Sequence, residues 1–218
     1  EALKSAGDAG AQAVLARRLD DECRGDAVLS EEAPDDAARL TADRVWIIDP
    51  LDGTREFSEE GRIDWAVHVA LWQGGDLVAG AVAMPADGVC YDTAAPPVVP
   101  ARSGGPLRLA VSRTRPPAFV TELDEQLGAV LVPMGSAGVK CASVWRGEAD
   151  AYVHAGGQFE WDSAAPVAVA RAAGLYTSRI DGSPLRYNRP DPRLPDLIVC
   201  RPEVAEQIVG ATAVLTKP

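Results

Sequence analysis

The stretch that most constrains this chain is Trp46-Ile47-Ile48-Asp49-Pro50-Leu51-Asp52-Gly53-Thr54-Arg55-Glu56-Phe57. Arg44 to Ile48 is a short apolar run that reads as a buried strand, ending at Asp49-Pro50, where the proline interrupts the ladder. The strand delivers two aspartates into a turn. Gly53 lets the backbone come close to a ligand. Thr54 then opens a helix whose free N–H groups and dipole favour a phosphate. Hard cations such as Mg2+ take carboxylate oxygens in a fixed frame, and this turn supplies them.

The spacing separates this element from another phosphatase motif. Haloacid-dehalogenase-type phosphatases carry D-x-D-G-T after a strand, with the first Asp as nucleophile. Here the spacing is D-x-x-D-G-T, and the extra residue re-aims Asp49 relative to Asp52. The remaining carboxylates of interest are Leu29-Ser30-Glu31-Glu32 upstream and Glu160-Trp161-Asp162-Ser163-Ala164-Ala165-Pro166 downstream. Asp162 alone reads equally well as a helix cap.

Bulk properties exclude several classes. The net charge of −11 argues against a nucleic-acid polymer as partner, since phosphate backbones are bound by excess Lys and Arg. A small phosphate ester remains open, provided divalent cations are bound between it and the protein. Two histidines, His68 and His154, are too few for a His-rich zinc site and weaken any Ser-His-Asp scheme. The four cysteines are scattered without a C-x-x-C pair, which points to a reducing cytoplasm rather than a disulfide framework. No apolar run reaches the roughly 20 residues of a membrane span. No signal peptide is expected, although a chain that starts at Glu1 without Met can lack an N-terminal piece.

Helices are expected at Ala11–Glu22, Val120–Leu127, Ser136–Arg146 and Asp162–Ala173, the last closed by Gly174. Strands are expected at Trp65–Trp72 and Leu77–Met84, joined by a Gly74-Gly75 hairpin, and at Leu107–Val111, Ala129–Pro133 and Ala149–His154. The Pro- and Gly-rich segment 92–105 marks a boundary between an α+β first part, residues 1–100, and an α/β second part, residues 101–218.

D-P-L-D-G-T with a later W-D-S-A-A-P resembles the inositol-monophosphatase-like family of metal-dependent phosphatases over nearly the whole chain. The resemblance implies a layered α/β/α/β/α sandwich of the inositol monophosphatase and fructose-1,6-bisphosphatase type, two or three Mg2+ ions, lithium sensitivity and a possible homodimer. It implies metal ligation by Glu31, Asp49, Asp52, Asp162 and the Leu51 carbonyl, and a phosphate cradle at Gly53 and Thr54. The Thr54 hydroxyl then lies near the attacking water. The family's acid followed by T-x-A-D corresponds here to Ser5-Ala6-Gly7-Asp8. Asp8 stands for its last Asp or caps the following helix, and the earlier acid has no counterpart.

Physical reasoning asks for cations as well. Two like charges ~4 Å apart cost about 4 kcal/mol at an effective dielectric near 20, so converging carboxylates must be protonated or metal-bound.

For the leaving group, Ser112-Arg113-Thr114-Arg115 and Gly135-Ser136-Ala137-Gly138-Val139-Lys140 resemble the S-R-x-x and G-S-x-x-K segments of the CysQ-type branch, the 3′(2′),5′-bisphosphate nucleotidases of sulfate assimilation, with one residue more before the lysine here. In that branch they handle the second phosphate and the ribose; the usual His is here Arg115. Arg186 and Tyr187 add a guanidinium and a ring able to stack on a base, or, for Tyr187, plain core packing. Glu160 contacts a ribose hydroxyl or buttresses the Asp162 turn. His68 reads as structural, and His154 faces the site without a task.

The expected activity is Mg2+-dependent removal of the 3′-phosphate of adenosine 3′,5′-bisphosphate by metal-activated water. Inositol monophosphatase or fructose-1,6-bisphosphatase activity is the alternative. A further one is an inactive metal- and nucleotide-binding regulator.

Overall fold

A computed structural model describes residues 2–114, 116 and 118–215. Arg115 lies outside the described residues. The chain begins with α1 (Ala2–Glu22), followed by β1 (Ala27–Ser30), β2 (Arg44–Asp52) and the short α2 (Thr54–Ser58). Then come β3 (Ala66–Gln73), β4 (Asp76–Met84) and β5 (Val89–Asp92). These strands form a sheet in the order β1-β2-β3-β4-β5, with β1 parallel to β2 and the other pairs antiparallel. Gly74 and Gly75, at φ 62° and 96°, make the expected two-residue hairpin, a conformation that glycine adopts without strain.

The second half runs β6 (Arg108–Ser112), α3 (Ala118–Leu127), β7 (Val130–Met134), α4 (Ala137–Trp145), β8 (Ala151–Phe159), α5 (Glu160–Ala172), β9 (Tyr176–Ser178), β10 (Arg193–Cys200) and α6 (Ala205–Leu215). Its sheet has the order β7-β6-β8-β10-β9.

Packing follows from which faces are apolar. Leu29, Val45, Ile47, Ala66, Ala70 and Val82 of the first sheet share one core with Val139, Ala142 and Val144 of α4 and Ala164, Ala165 and Val169 of α5. Ala110, Tyr152, Leu197 and Val199 of the second sheet close the same core from the other side. The far face of the second sheet, with Leu109, Val111, Val153 and Ile198, packs on Val120 and Leu123 of α3 and Ile208 of α6. With α1 against β2 and α2, the layers are α/β/α/β/α, as the resemblance implies.

Small residues set the layer spacing. A Cβ on Gly80 of β4 would lie 2.6 Å from the Ala168 Cβ of α5. Burial of the apolar residues of α4 and α5 between the two sheets contributes roughly 25 cal/mol per Å² of apolar surface removed from water.

Several elements differ from the sequence expectation; β8 starts at Ala151 rather than Ala149 and runs five residues past the expected His154 to Phe159. The first helix starts at Ala2, not Ala11, so Asp8 lies inside α1 and does not cap it. β2 continues through Pro50 to Asp52 instead of stopping at Asp49. α5 starts at Glu160, two residues before the expected Asp162. The strands β1, β5, β9 and β10 and the helix α6 carry no pattern that the sequence reading singled out.

Candidate active site

In a regular strand residues three apart point to opposite faces. Asp49 and Asp52 of β2 do not, because β2 pairs with β3 through an irregularity. Asp49 lies opposite His68 and Asp52 opposite Ala66, so three steps along β2 match two along β3. The extra residue is a bulge around Pro50, which has no N–H to lose from the ladder. The bulge brings both carboxylates to one side.

Asp162, in the first turn of α5, completes the group. Asp49, Asp52 and Asp162 each offer an oxygen within 4.8 Å of the others. Asp49 is 1% exposed and Asp52 7%. One Asp49 oxygen accepts the Leu51 amide at 3.0 Å, and Asp162 accepts the Phe159 amide at 2.7 Å. Asp162 is thus both a helix-start acceptor and a member of the trio.

Burial, followed by repulsion from Asp52, pushes the Asp49 carboxyl well above its usual range. Burial and then Asp52 push Asp162 up to about 7. Glu31 follows β1, with its amide directed at the Ile48 carbonyl. Its carboxyl lies beside that of Asp49 and is also raised, first by burial. Oxygen donors, mutual repulsion and burial together fit a hard divalent cation.

The hydroxyl of Thr54, at the start of α2, donates to the Leu51 carbonyl at 3.1 Å and lies 3.5 Å from an Asp8 oxygen. Burial raises the Asp8 carboxyl. Gly7 explains how Asp8 arrives there from a helix. A Cβ at Gly7 would sit 2.6 Å from the Phe57 ring and 2.8 Å from a Leu51 methyl, so only glycine lets α1 approach this closely. Ser5 is exposed.

These groups edge a cleft of about 590 Å³ between the two sheets. From the first sheet it is lined by Asp52, Gly53 and Thr54; from the second half by Ser112, Arg113, Gly135, Ser136, Lys140 and Asp162. Arg113 spans the cleft and donates to Glu56 at 2.8 Å and Glu59 at 2.9 Å. Lys140 is 6% exposed, and its ammonium donates to the Ser136 carbonyl at 2.5 Å and stands 5.3 Å over the Tyr152 ring. Burial lowers its pKa. Both cations therefore already have protein partners.

Three residues that the sequence reading placed with the substrate lie elsewhere. The Tyr187 ring is buried in the shared core, its hydroxyl 3.1 Å from that of Ser163, so it has no face to offer a base. Arg186 is exposed and does not line the cleft. Glu160 is 0% exposed; its two oxygens accept the Asn188 and Arg189 amides at 2.6 and 2.9 Å, which makes it a buttress. Burial raises its pKa to about 7 despite those donors.

The structure also adds groups that sequence reasoning missed. Tyr152 and Gln158 of β8 line the cleft beside His154, and no motif marks them. Burial lowers the His154 ring to about 4. The fully buried His68 ring donates from Nδ1 to the Trp161 carbonyl at 3.2 Å. Its Nε2 lies 3.3 Å from Asp52 Oδ2. Its alternation with alanines signals burial but not this pairing.

The sequence pattern of the inositol monophosphatase family matches residues 3–214. A 3′-phosphoadenosine 5′-phosphate phosphatase of Mycobacterium tuberculosis is 57% identical over 219 aligned positions, covering 97% of this chain and 82% of that protein. The 3′(2′),5′-bisphosphate nucleotidase CysQ of Escherichia coli (strain K12) is 33% identical, covering 73% of this chain and 69% of that protein. Among solved structures, CysQ of Bacteroides thetaiotaomicron has a TM-score of 0.74 at 29% identity, over 89% of this chain and 83% of that one. The inositol monophosphatase of Anabaena superposes with a TM-score of 0.79 at 21% identity, covering 96% and 87%, a likeness of fold.

Proposed function

The chain belongs to the inositol monophosphatase family, and on that footing we propose that it removes the 3′-phosphate of adenosine 3′,5′-bisphosphate with the help of Mg2+. The carrying observation is the Asp49–Asp52–Asp162 trio at the edge of a cleft large enough for a nucleotide. The 57% identity to a phosphatase named for this substrate supports the choice of leaving group.

Asp49, Asp52, Asp162, Glu31 and the Leu51 carbonyl would hold the cations. When bound, Mg2+ lowers the pKa of a water and neutralises charge on the leaving oxygen. The remaining tasks fall to the chain. The Thr54 hydroxyl can accept a hydrogen bond from the incoming water while directing its own proton to the Leu51 carbonyl or to Asp8. Asp8, whose carboxyl burial raises, is placed beside the Thr54 hydroxyl to take up a proton from it. Gly53, at φ 88°, makes the turn beside the cleft without strain, where a Cβ would crowd Ser136 and the Asp64–Trp65 backbone.

Ser112, Arg113, Ser136 and Lys140 form the wall against which the leaving nucleoside 5′-phosphate rests. An incoming phosphate would share Arg113 with Glu56 and Glu59, exchanging one charge-assisted hydrogen bond for another. No helix among the described residues is long and apolar enough to cross a membrane, consistent with a small-molecule substrate taken from water.

Asp52→Asn keeps the side chain's shape and removes one charge. It is expected to abolish Mg2+ binding measured by calorimetry and to lower kcat by orders of magnitude. Near-wild-type turnover would defeat the reading.

A further inference from the structure

Ser136 adopts φ 51° and ψ 138°, a conformation in which a residue with a Cβ is strained and glycine is the ordinary occupant. Strain kept at one position invites a search for what the side chain does there. The Ser136 hydroxyl accepts the Val139 amide at 3.0 Å and donates to Asp52 Oδ2. The same oxygen accepts the Gly138 amide at 2.7 Å, and the His68 Nε2 stands 3.3 Å from it.

Glycine at 138 is required for that approach, since a Cβ there would overlap the His68 ring. The Ser136 carbonyl is held from behind by Lys140. Across the gap, the position of a Cβ on Gly53 would be 3.2 Å from the Ser136 Cβ. Oδ2 of Asp52 is thus occupied by the start of α4, and the carboxylate's other oxygen is left over.

We propose that Ser136 is a positioning residue for Asp52: its hydroxyl, together with the Gly138 amide, fixes Oδ2 so that the remaining oxygen is presented to the cation. The proposal rests on Asp52 being a cation ligand, as read above. It explains why serine rather than glycine occupies a glycine-like conformation. It also ties the two halves of the chain, because the segment that orients the cation ligand is the one that lines the cleft. Cation binding and occupation of that wall are then coupled, each favouring the other.

Ser136→Gly separates positioning from mere helix capping. Glycine relieves the backbone and is nearly as good a cap as serine, so the fold should be unharmed. Mg2+ titrated calorimetrically into the metal-free protein, without substrate, should bind roughly ten- to a hundredfold more weakly than to the native chain, the usual loss on removing an outer-shell hydrogen bond. The melting temperature of the metal-free variant should equal or exceed the native value. The Mg2+ concentration needed for half-maximal kcat should rise in the same proportion. Ser136→Ala, which loses cap and donor, should show the same weaker Mg2+ binding.

Amide hydrogen exchange on the native protein gives a reading free of any variant. Added Mg2+ should slow exchange over residues 136–140. Native Mg2+ affinity in Ser136→Gly, or exchange at 136–140 that ignores Mg2+, overturns the proposal. Asp52→Asn serves as the reference. If it loses Mg2+ while Ser136→Gly does not, only this inference falls; if it binds Mg2+ normally, the cation-site reading falls with it.

Discussion

Removing the cation should make the fold sensitive to pH in a direction opposite to ordinary acid denaturation. Asp162 has an unfolded value near 3.8 and is pushed to about 7 in the folded chain, mainly by burial and next by Asp52. Asp49 and Glu31 shift the same way. A carboxyl whose folded pKa is raised binds more protons folded than unfolded across the window between the two values. Its stabilising effect is complete below about pH 4 and is lost as pH rises through about 7. Three pH units correspond to about 4 kcal/mol for Asp162 alone, an upper figure for a site that can admit water. The buried His68 and His154 rings, whose values burial lowers, work the other way below about pH 6.5 and offset part of this fall. The raised carboxyls outnumber them, so metal-free protein should still lose unfolding free energy between pH 5 and 8, measured by urea denaturation in EDTA. Mg2+ reverses the trend, because it binds the ionised carboxylates. The increment in stability from a fixed amount of added Mg2+ should thus grow from pH 5.5 to pH 8. A metal-free stability that is flat over this range, or an Mg2+ increment that is the same at both pH values, would refute the electrostatic account of the trio.

Two substitutions probe the leaving-group wall and the core. Arg113→Ala should lower kcat/KM for adenosine 3′,5′-bisphosphate roughly ten- to a hundredfold, the usual effect of one charge-assisted hydrogen bond, and change hydrolysis of inositol monophosphate little. Steady-state kinetics on both substrates check this, and equal losses would assign Arg113 to holding Glu56 and Glu59 alone. Tyr187→Phe should cost about 1 kcal/mol through the lost contact with Ser163 and leave KM unchanged. A raised KM would return Tyr187 to the substrate site.

The elements and the carboxylate pattern are legible because both depend on local signals: apolar runs of the right length, glycine and proline punctuation, and two acidic motifs; the layered sandwich follows only from the family resemblance that those motifs carry. The parts that escaped depend on partners distant in sequence. Asp49 and Asp52 share a side only because β2 carries an extra residue against β3, and a spacing of three in a strand predicts the reverse. Asp8 looked like a cap because helix α1 opens without a signal; its place beside Thr54 follows from Gly7 packing on Phe57 and Leu51. Arg113 reads from sequence as a free phosphate ligand, yet Glu56 and Glu59, more than fifty residues earlier, already hold it. Tyr187 shows the limit of composition: an aromatic with a hydroxyl suits a base stack and a core equally, and only the position of Ser163 decides. His68 carries the same lesson, since its alternation announces burial but not the Asp52 oxygen beside it.

The central claim is tested most directly by following phosphate release from adenosine 3′,5′-bisphosphate with metal-free protein while Mg2+ is added back. The account predicts no turnover in EDTA, recovery that saturates with Mg2+, and adenosine 5′-monophosphate as the product. Turnover that persists without a divalent cation, or release of the 5′-phosphate in place of the 3′-phosphate, would contradict it.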